Sequence, residues 1–264
     1  MKAQGQVSFK PILFSFELVS EIILMFLIFA FLLFIKNEQL IELTYHFMKK
    51  GFNQYAPMAG LPELRNLVAD KTEKFYDAKY DPETEITITA GGTQAIFTAL
   101  AAVINPGDEV IIFEPAYDCY SPTVKLLGGL VKPFELHAPD YKIDWEMVKK
   151  MFSANTKLII LNSPHNPTGG ILTKTDMEAL IKLTKNTDVL ILSDEVYEHI
   201  IFDNEEHQSV AKYPELQERS FIVASFGKLS YANLVINSES SVPSKSDAYT
   251  EVIIFVSPKI PSSL

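Results

Sequence analysis

Two stretches in the middle of the chain, KLIILN (157–162) and VLILSD (189–194), carry four apolar residues in a row at strand length. A strand with one wet face alternates apolar and polar residues. One without alternation is covered on both faces, as in a parallel sheet between two layers of helices. Around these runs, helix and strand signals take turns. EQLIELTYHFMKKG (38–51) has helical spacing and stops at Gly51, and LPELRNLVADKTEKFYD (61–77) has Pro62 near its start, where a missing N–H costs nothing. ITITA (86–90) predicts a strand, TQAIFTALAAVI (93–104) a helix, NPGDE (105–109) a turn and VIIF (110–113) a strand. LVKPFEL (130–136), DWEMVKKMF (144–152), DMEALIKLTKN (176–186) and FIVASF (221–226) continue the series. The expected fold is α/β, three layers with a mainly parallel sheet, over residues 37–231. Nothing repeats at a fixed period, which argues against a solenoid.

Both ends break this pattern. Ile22 to Ile35 is fourteen apolar residues between Glu21 and Lys36. A membrane span needs about 18 or more. Counting back to Pro11 supplies the length but includes Glu17 and Glu21, which are costly near a bilayer centre. No small-residue cleavage site follows the run, as a signal peptide would require. Residues 1–36 are therefore set apart as an atypical apolar segment: a membrane contact through 11–35, a buried or interfacial helix, or sequence foreign to the fold. Residues 237–264 hold eight serines in 28 positions and one apolar stretch, VIIFV (252–256). Residues 232–264 read as an irregular tail, with one edge strand at most.

The net charge of −10 leaves no basic footprint for nucleic acid. A single cysteine, Cys119, excludes an internal disulfide framework and a cysteine zinc site, and fits a reducing, cytoplasmic location. No metal ligands are assigned.

The chemistry lies in three separated segments: NSPHNPTGG (162–170), LSDEVYEHIIFD (192–203) and VASFGK (223–228). They supply Asn166, Asp194 with Tyr197 three residues on, and Lys228 with Ser225 three before it. Asp194 directly follows a buried strand, the place of a site residue at the carboxyl end of a parallel sheet. AGGTQAIF puts Gly91, Gly92 and Thr93 where a strand hands over to a helix, so backbone N–H groups and the helix dipole can face an anion. Each has a plainer reading: Asp194 as a helix cap, Asn166 as an Asn-Pro turn, Lys228 as a surface lysine, Gly-Gly as a common turn.

With NQYAPMAGLPELR, TAGGTQAIF, NPGDEV, EPAYDCY, NSPHNPTGG, SDEVYEHI and SFGK in this order, the chain from Glu38 to Lys228 resembles the fold-type I, class I/II aminotransferases. The likeness is greatest to the kynurenine–oxoglutarate and methionine aminotransferase group. The resemblance implies pyridoxal 5′-phosphate as cofactor, α-amino acid and 2-oxo acid substrates (methionine, glutamine or aromatic, kynurenine-type) and a homodimer. It assigns the Schiff-base lysine to Lys228, the pyridine-nitrogen partner to Asp194, and the ring-hydroxyl donors to Tyr197 and Asn166. Gly92 and Thr93 would bind phosphate through main-chain amides and Ser225 through its hydroxyl. Tyr117 would stack on the ring, with core packing as its alternative. Tyr55 would reach the phosphate of the partner subunit.

Two family features have no counterpart. The S-x-G-x-P-D stretch expected before Glu38 is replaced by the apolar run, and LSYANLVINSES follows Lys228 where a phosphate-binding cation is expected. Residues 229–264 contain no arginine, whereas a bidentate arginine clamps the substrate carboxylate in the family. The expectation is an aminotransferase large domain without its C-terminal small domain. The alternative is a non-catalytic fragment, membrane-tethered or paired with a full-length homologue.

Overall fold

The structure, a computed structural model, describes residues 38–225 and the backbone of 252–256. Lys228, the apolar segment at 11–35 and the rest of the C-terminal segment lie outside the described residues. Among the described residues no helix is long and apolar enough to cross a membrane.

The chain divides into two units, Met1–Phe52 and Asn53–Leu264. In the first, helix α1 (Glu38–Lys49) has His46 and Lys49 in its last turn, where they complement the helix dipole. Gly51 ends it at φ +87, a backbone angle that favours glycine.

The second unit contains α2 (Pro62–Tyr76), β1 (Ile86–Ala90), α3 (Gly92–Val103), β2 (Glu109–Glu114), α4 (Tyr120–Leu126) and β3 (Leu130–Glu135). Then come α5 (Trp145–Met151), β4 (Thr156–Asn162), α6 (Lys174–Thr184), β5 (Leu190–Asp194), a 3-10 turn (Val210–Lys212), α7 (Pro214–Gln217), β6 (Ser220–Ser225) and β7 (Val252–Val256). The strands form one sheet in the order β1-β7-β6-β5-β4-β2-β3. β2 to β6 pair in parallel, and β7 is antiparallel to both its neighbours. Pro133 sits in β3 at the sheet's margin, where a strand tolerates a missing donor.

The unbroken apolar runs do what their composition requires. Leu158 and Ile160 of β4, with Leu190 and Leu192 of β5, join a core with Ala95, Ile96, Ala99 and Leu100 of α3 and Val124 of α4. The residues between them, Ile159, Leu161 and Ile191, enter a second core with Val68 of α2, Val148 of α5, and Met177 and Leu180 of α6. A side chain of this kind fully buried is worth roughly 1.5–3 kcal/mol, so both helical layers are fixed to the sheet by the same strands. The architecture is three-layer α/β/α.

Four elements differ from expectation. α6 begins two residues before Asp176, because Thr173 and Asp176 form a capping box, each side chain taking the other's backbone N–H. The short helices α4 and α7 have too few turns to print a periodicity. The apolar stretch at 252–256, expected at most as an edge strand, lies inside the sheet between β1 and β6. There Ile253 pairs with both Thr89 and Ser225, which aligns the ends of β1 and β6.

Candidate active site

The carboxyl ends of the parallel strands bring the predicted segments together. Asp194 is the last residue of β5 and pairs in register with Asn162 of β4 and Val223 of β6. It is 4% exposed. The Tyr120 hydroxyl donates to its Oδ2 at 2.5 Å, and the Val196 N–H donates to Oδ1 at 3.3 Å. Burial pushes the carboxyl up to about 6, against the pull of those two hydrogen bonds. Among the described residues no Lys, Arg or His forms an ion pair with it. The residues directly after Asp194 form turns and not a helix, so the helix-cap reading falls away.

Tyr120 itself is buried. Burial first, and then the Asp194 charge, hold its hydroxyl well above the ordinary tyrosine range. It therefore stays a donor. Its ring meets Tyr117 edge-to-face at 5.8 Å between centroids, and the Tyr117 hydroxyl lies 3.4 Å from Thr93 Oγ1. Tyr117 thus spans from the start of α3 to the Asp194 pocket.

Asn166 stands in the loop after β4. Its N–H donates to Asn162 Oδ1 at 2.7 Å, while Asn162 Nδ2 donates to the Asp194 carbonyl at 2.9 Å. Asn162 therefore ties the Asn166 loop to the end of β5. Tyr197 completes the group: burial first, then the Asp194 and Tyr117 charges, raise its hydroxyl, while Asn166 acts the other way.

At the other side, Gly91 precedes α3 at φ +98, an angle that favours glycine, and no side chain caps the helix. Gly92 and Thr93 form its first turn. Ser225 is buried at the end of β6. Tyr55 is fully exposed ahead of α2, and among the described residues no hydrogen bond or ring contact joins it to this group.

The structure thus links Asp194, Asn166, Tyr117 and Thr93 through Tyr120 and Asn162, keeps Tyr197 three residues beyond Asp194, and puts Gly92 at the start of α3 and Ser225 at the end of β6 on the same edge of the sheet. Tyr120 and Asn162 were missed by sequence reasoning, although both stand in segments singled out there. Tyr120 follows Tyr117 by three residues, its N–H donating to the Tyr117 carbonyl at 3.3 Å in the turn that leads into α4.

Residues 34–230 match the family described as aminotransferase class I and II. The chain belongs to that family. It is 44% identical to the methionine aminotransferase of Escherichia coli (strain K12) over 183 residues, which cover 69% of this chain and 47% of that protein. To kynurenine–oxoglutarate transaminase 1 of Rattus norvegicus it is 35% identical over 189 residues, 67% of this chain and 44% of that one. A crystal structure from Escherichia coli, described as identifying a methionine aminotransferase function, superposes with a TM-score of 0.75 at 38% identity, over 84% of this chain and 55% of that one. The chain spans about half the length of the curated relatives it matches. The family depends on pyridoxal 5′-phosphate.

Proposed function

We propose that the chain binds pyridoxal 5′-phosphate at the carboxyl edge of its sheet and serves the transfer of an amino group from an α-amino acid to a 2-oxo acid. The observation that carries this reading is Asp194, a buried carboxylate held by two hydrogen bonds and matched by no cation among the described residues. Burying such a charge is costly unless a cation arrives to share the site. A protonated pyridine nitrogen has the right charge.

The surrounding residues fit the rest of the cofactor. Tyr197 and Asn166 would hold the ring hydroxyl oxygen. Tyr117 would cover one ring face and keep water from it. The uncapped first turn of α3, with Gly92 and Thr93, would take the phosphate through backbone amides, and Ser225 would add a hydroxyl. When bound, the cofactor supplies an electron sink for charge developing at the substrate Cα. Asp194 keeps a proton on the ring nitrogen, and Tyr120 holds Asp194 in orientation and tempers its basicity. Lys228 is the proposed covalent anchor and proton carrier.

The substrate reading is an α-amino acid of the methionine, glutamine or aromatic type, supported by relatives described as methionine and kynurenine aminotransferases. Tyr55, exposed in the single chain, is the proposed contact with a partner subunit's cofactor phosphate in a homodimer. A cytoplasmic location accompanies this reading.

The test is borohydride reduction of the purified chain with added pyridoxal 5′-phosphate, followed by peptide mapping. An adduct on Lys228 that disappears in Lys228→Ala supports the reading. A chain that takes up no cofactor at that position contradicts it.

A further inference from the structure

The segment that presents Asp194 and Tyr197 to the site has a second side. Glu195 and Glu198 alternate with those two residues, and both are buried, at 1% and 5% exposure. Glu195 is enclosed by three partners. Its Oε1 accepts from Ser193 Oγ at 2.7 Å and from the Val210 N–H at 3.1 Å, and its Oε2 lies 2.9 Å from His207 Nε2. Glu198 reaches into α2, where one oxygen takes the Lys71 ammonium and the other the Tyr76 hydroxyl. His199 Nε2 stands 3.7 Å from the oxygen that holds Lys71. The Tyr76 ring meets His207 at 6.2 Å, so one tyrosine joins the two carboxylate nests.

Energetics do not explain this arrangement as a device for stability. A buried ion pair is often no better than apolar residues of the same volume. What it adds is direction. Apolar packing lets a loop slide by fractions of an ångström, whereas charge-assisted hydrogen bonds fix where each oxygen sits. Between these anchors the backbone is closed by Glu195 N–H to the Val223 carbonyl (2.7 Å), Glu198 N–H to the Glu195 carbonyl (2.9 Å) and Ile200 N–H to the Tyr197 carbonyl (2.7 Å). A displacement of Glu198 would therefore move Tyr197, its immediate neighbour.

We infer that Glu195 and Glu198 are positioning residues, a clamp on the far side of the 194–198 segment that sets Asp194 and Tyr197 before any cofactor arrives. Glu198, with Lys71 and Tyr76, ties the segment to α2, and Glu195, with Ser193, His207 and Val210, anchors the strand end. Neither is among the residues proposed to hold the cofactor. The inference rests on the functional reading above for what the clamp serves, but the clamp itself exists in the cofactor-free chain.

Two readouts separate these levels. The first is amide hydrogen exchange of the cofactor-free full chain. Glu198→Gln and Tyr76→Phe are expected to speed exchange at residues 195–200 by about tenfold while β2 and β4 keep their protection. The second is the dissociation constant of pyridoxal 5′-phosphate, followed by its absorbance, at a temperature where each variant is fully folded. It is expected to rise about tenfold in Glu198→Gln, less in Tyr76→Phe, with Lys71→Arg close to the original. Unchanged exchange at 195–200 in a folded Tyr76→Phe chain overturns the clamp, and so does uniformly faster exchange across the sheet. If the unaltered chain binds no pyridoxal 5′-phosphate, the functional reading fails while the exchange result still decides the clamp. Local loosening together with cofactor affinity within about twofold of the original would refute the link between clamp and site.

Discussion

Asp194 and Glu198 lie four residues apart on one segment, and both are buried, yet their acidities move in opposite directions. Burial raises the Asp194 carboxyl from its ordinary value to about 6, and hydrogen bonds from Tyr120 and Val196 recover only part of it. Burial acts on Glu198 too, but the Lys71 charge, then His199, and hydrogen bonds from Lys71 and Tyr76 outweigh it and hold Glu198 below the usual range. The two differ in partners, not in depth. Glu198 has its cation inside the chain, and its charge is neutralised there. Asp194 has neutral donors, and its charge stays available to a ligand. One strand end thus presents an unneutralised carboxylate at the front and an internally matched one at the back.

The comparison is broken most forcefully from the back. Lys71→Met would leave Glu198 buried without its cation, and the cofactor-free chain should lose roughly 3–5 kcal/mol in urea unfolding near neutral pH. A loss comparable to that of a surface pair would mean that Glu198 is not held by Lys71.

The front carboxylate should behave in the opposite sense. Because the folded chain holds the Asp194 proton more tightly than the unfolded chain, its contribution turns unfavourable as pH rises from about 4 to about 6. Asp194→Asn is therefore expected to stabilise the cofactor-free chain above that window, by up to about 3 kcal/mol, and to make little difference below it. Equal stability at both ends of the range would show that Asp194 carries no burial penalty.

Tyr120→Phe removes the better of the two donors to Asp194. The expected cost is roughly 1.5–3 kcal/mol above the Asp194 transition, less below it, with that transition itself displaced upward. Thermal unfolding followed against pH separates this from a plain packing defect, which would be independent of pH.

The smallest effect is a control. Glu206 pairs with Lys212 at 2.6 Å, but the Glu206 side chain is 76% exposed. Glu206→Gln should leave the unfolding curve unchanged, since exposed pairs are screened and mobile. A clear shift would show that the buried and exposed ion pairs of this chain cannot be ranked by burial.

The sheet was legible because its signal is local: LIIL and VLIL can be satisfied only by cover on both faces, and the two cores on either side of β4 and β5 supply it. The strand at 252–256 was undervalued because its serine-rich surroundings carry no pattern, and its interior place depends on pairing with β1 and β6, which are remote in sequence. At the site, Asp194, Tyr197 and Asn166 could be named from motifs, since each stands at a strand end or a turn. Tyr120 and Asn162 were hidden because their roles depend on contacts remote in sequence: strand register puts Asn162 beside Asp194, and the fold brings the Tyr120 hydroxyl from α4 to the same carboxylate. Nothing local in the sequence sets Glu195 and Glu198 apart from the other acidic residues. Only the fold brings Lys71, Tyr76 and His207 to them.

The most direct test of the unneutralised front carboxylate is the thermal shift produced by saturating pyridoxal 5′-phosphate, compared between the original chain and Asp194→Asn at about pH 8. A marked rise in Tm in the original chain that is largely lost in Asp194→Asn is the predicted result. An equal rise in both would contradict the claim that Asp194 holds its charge for the cofactor.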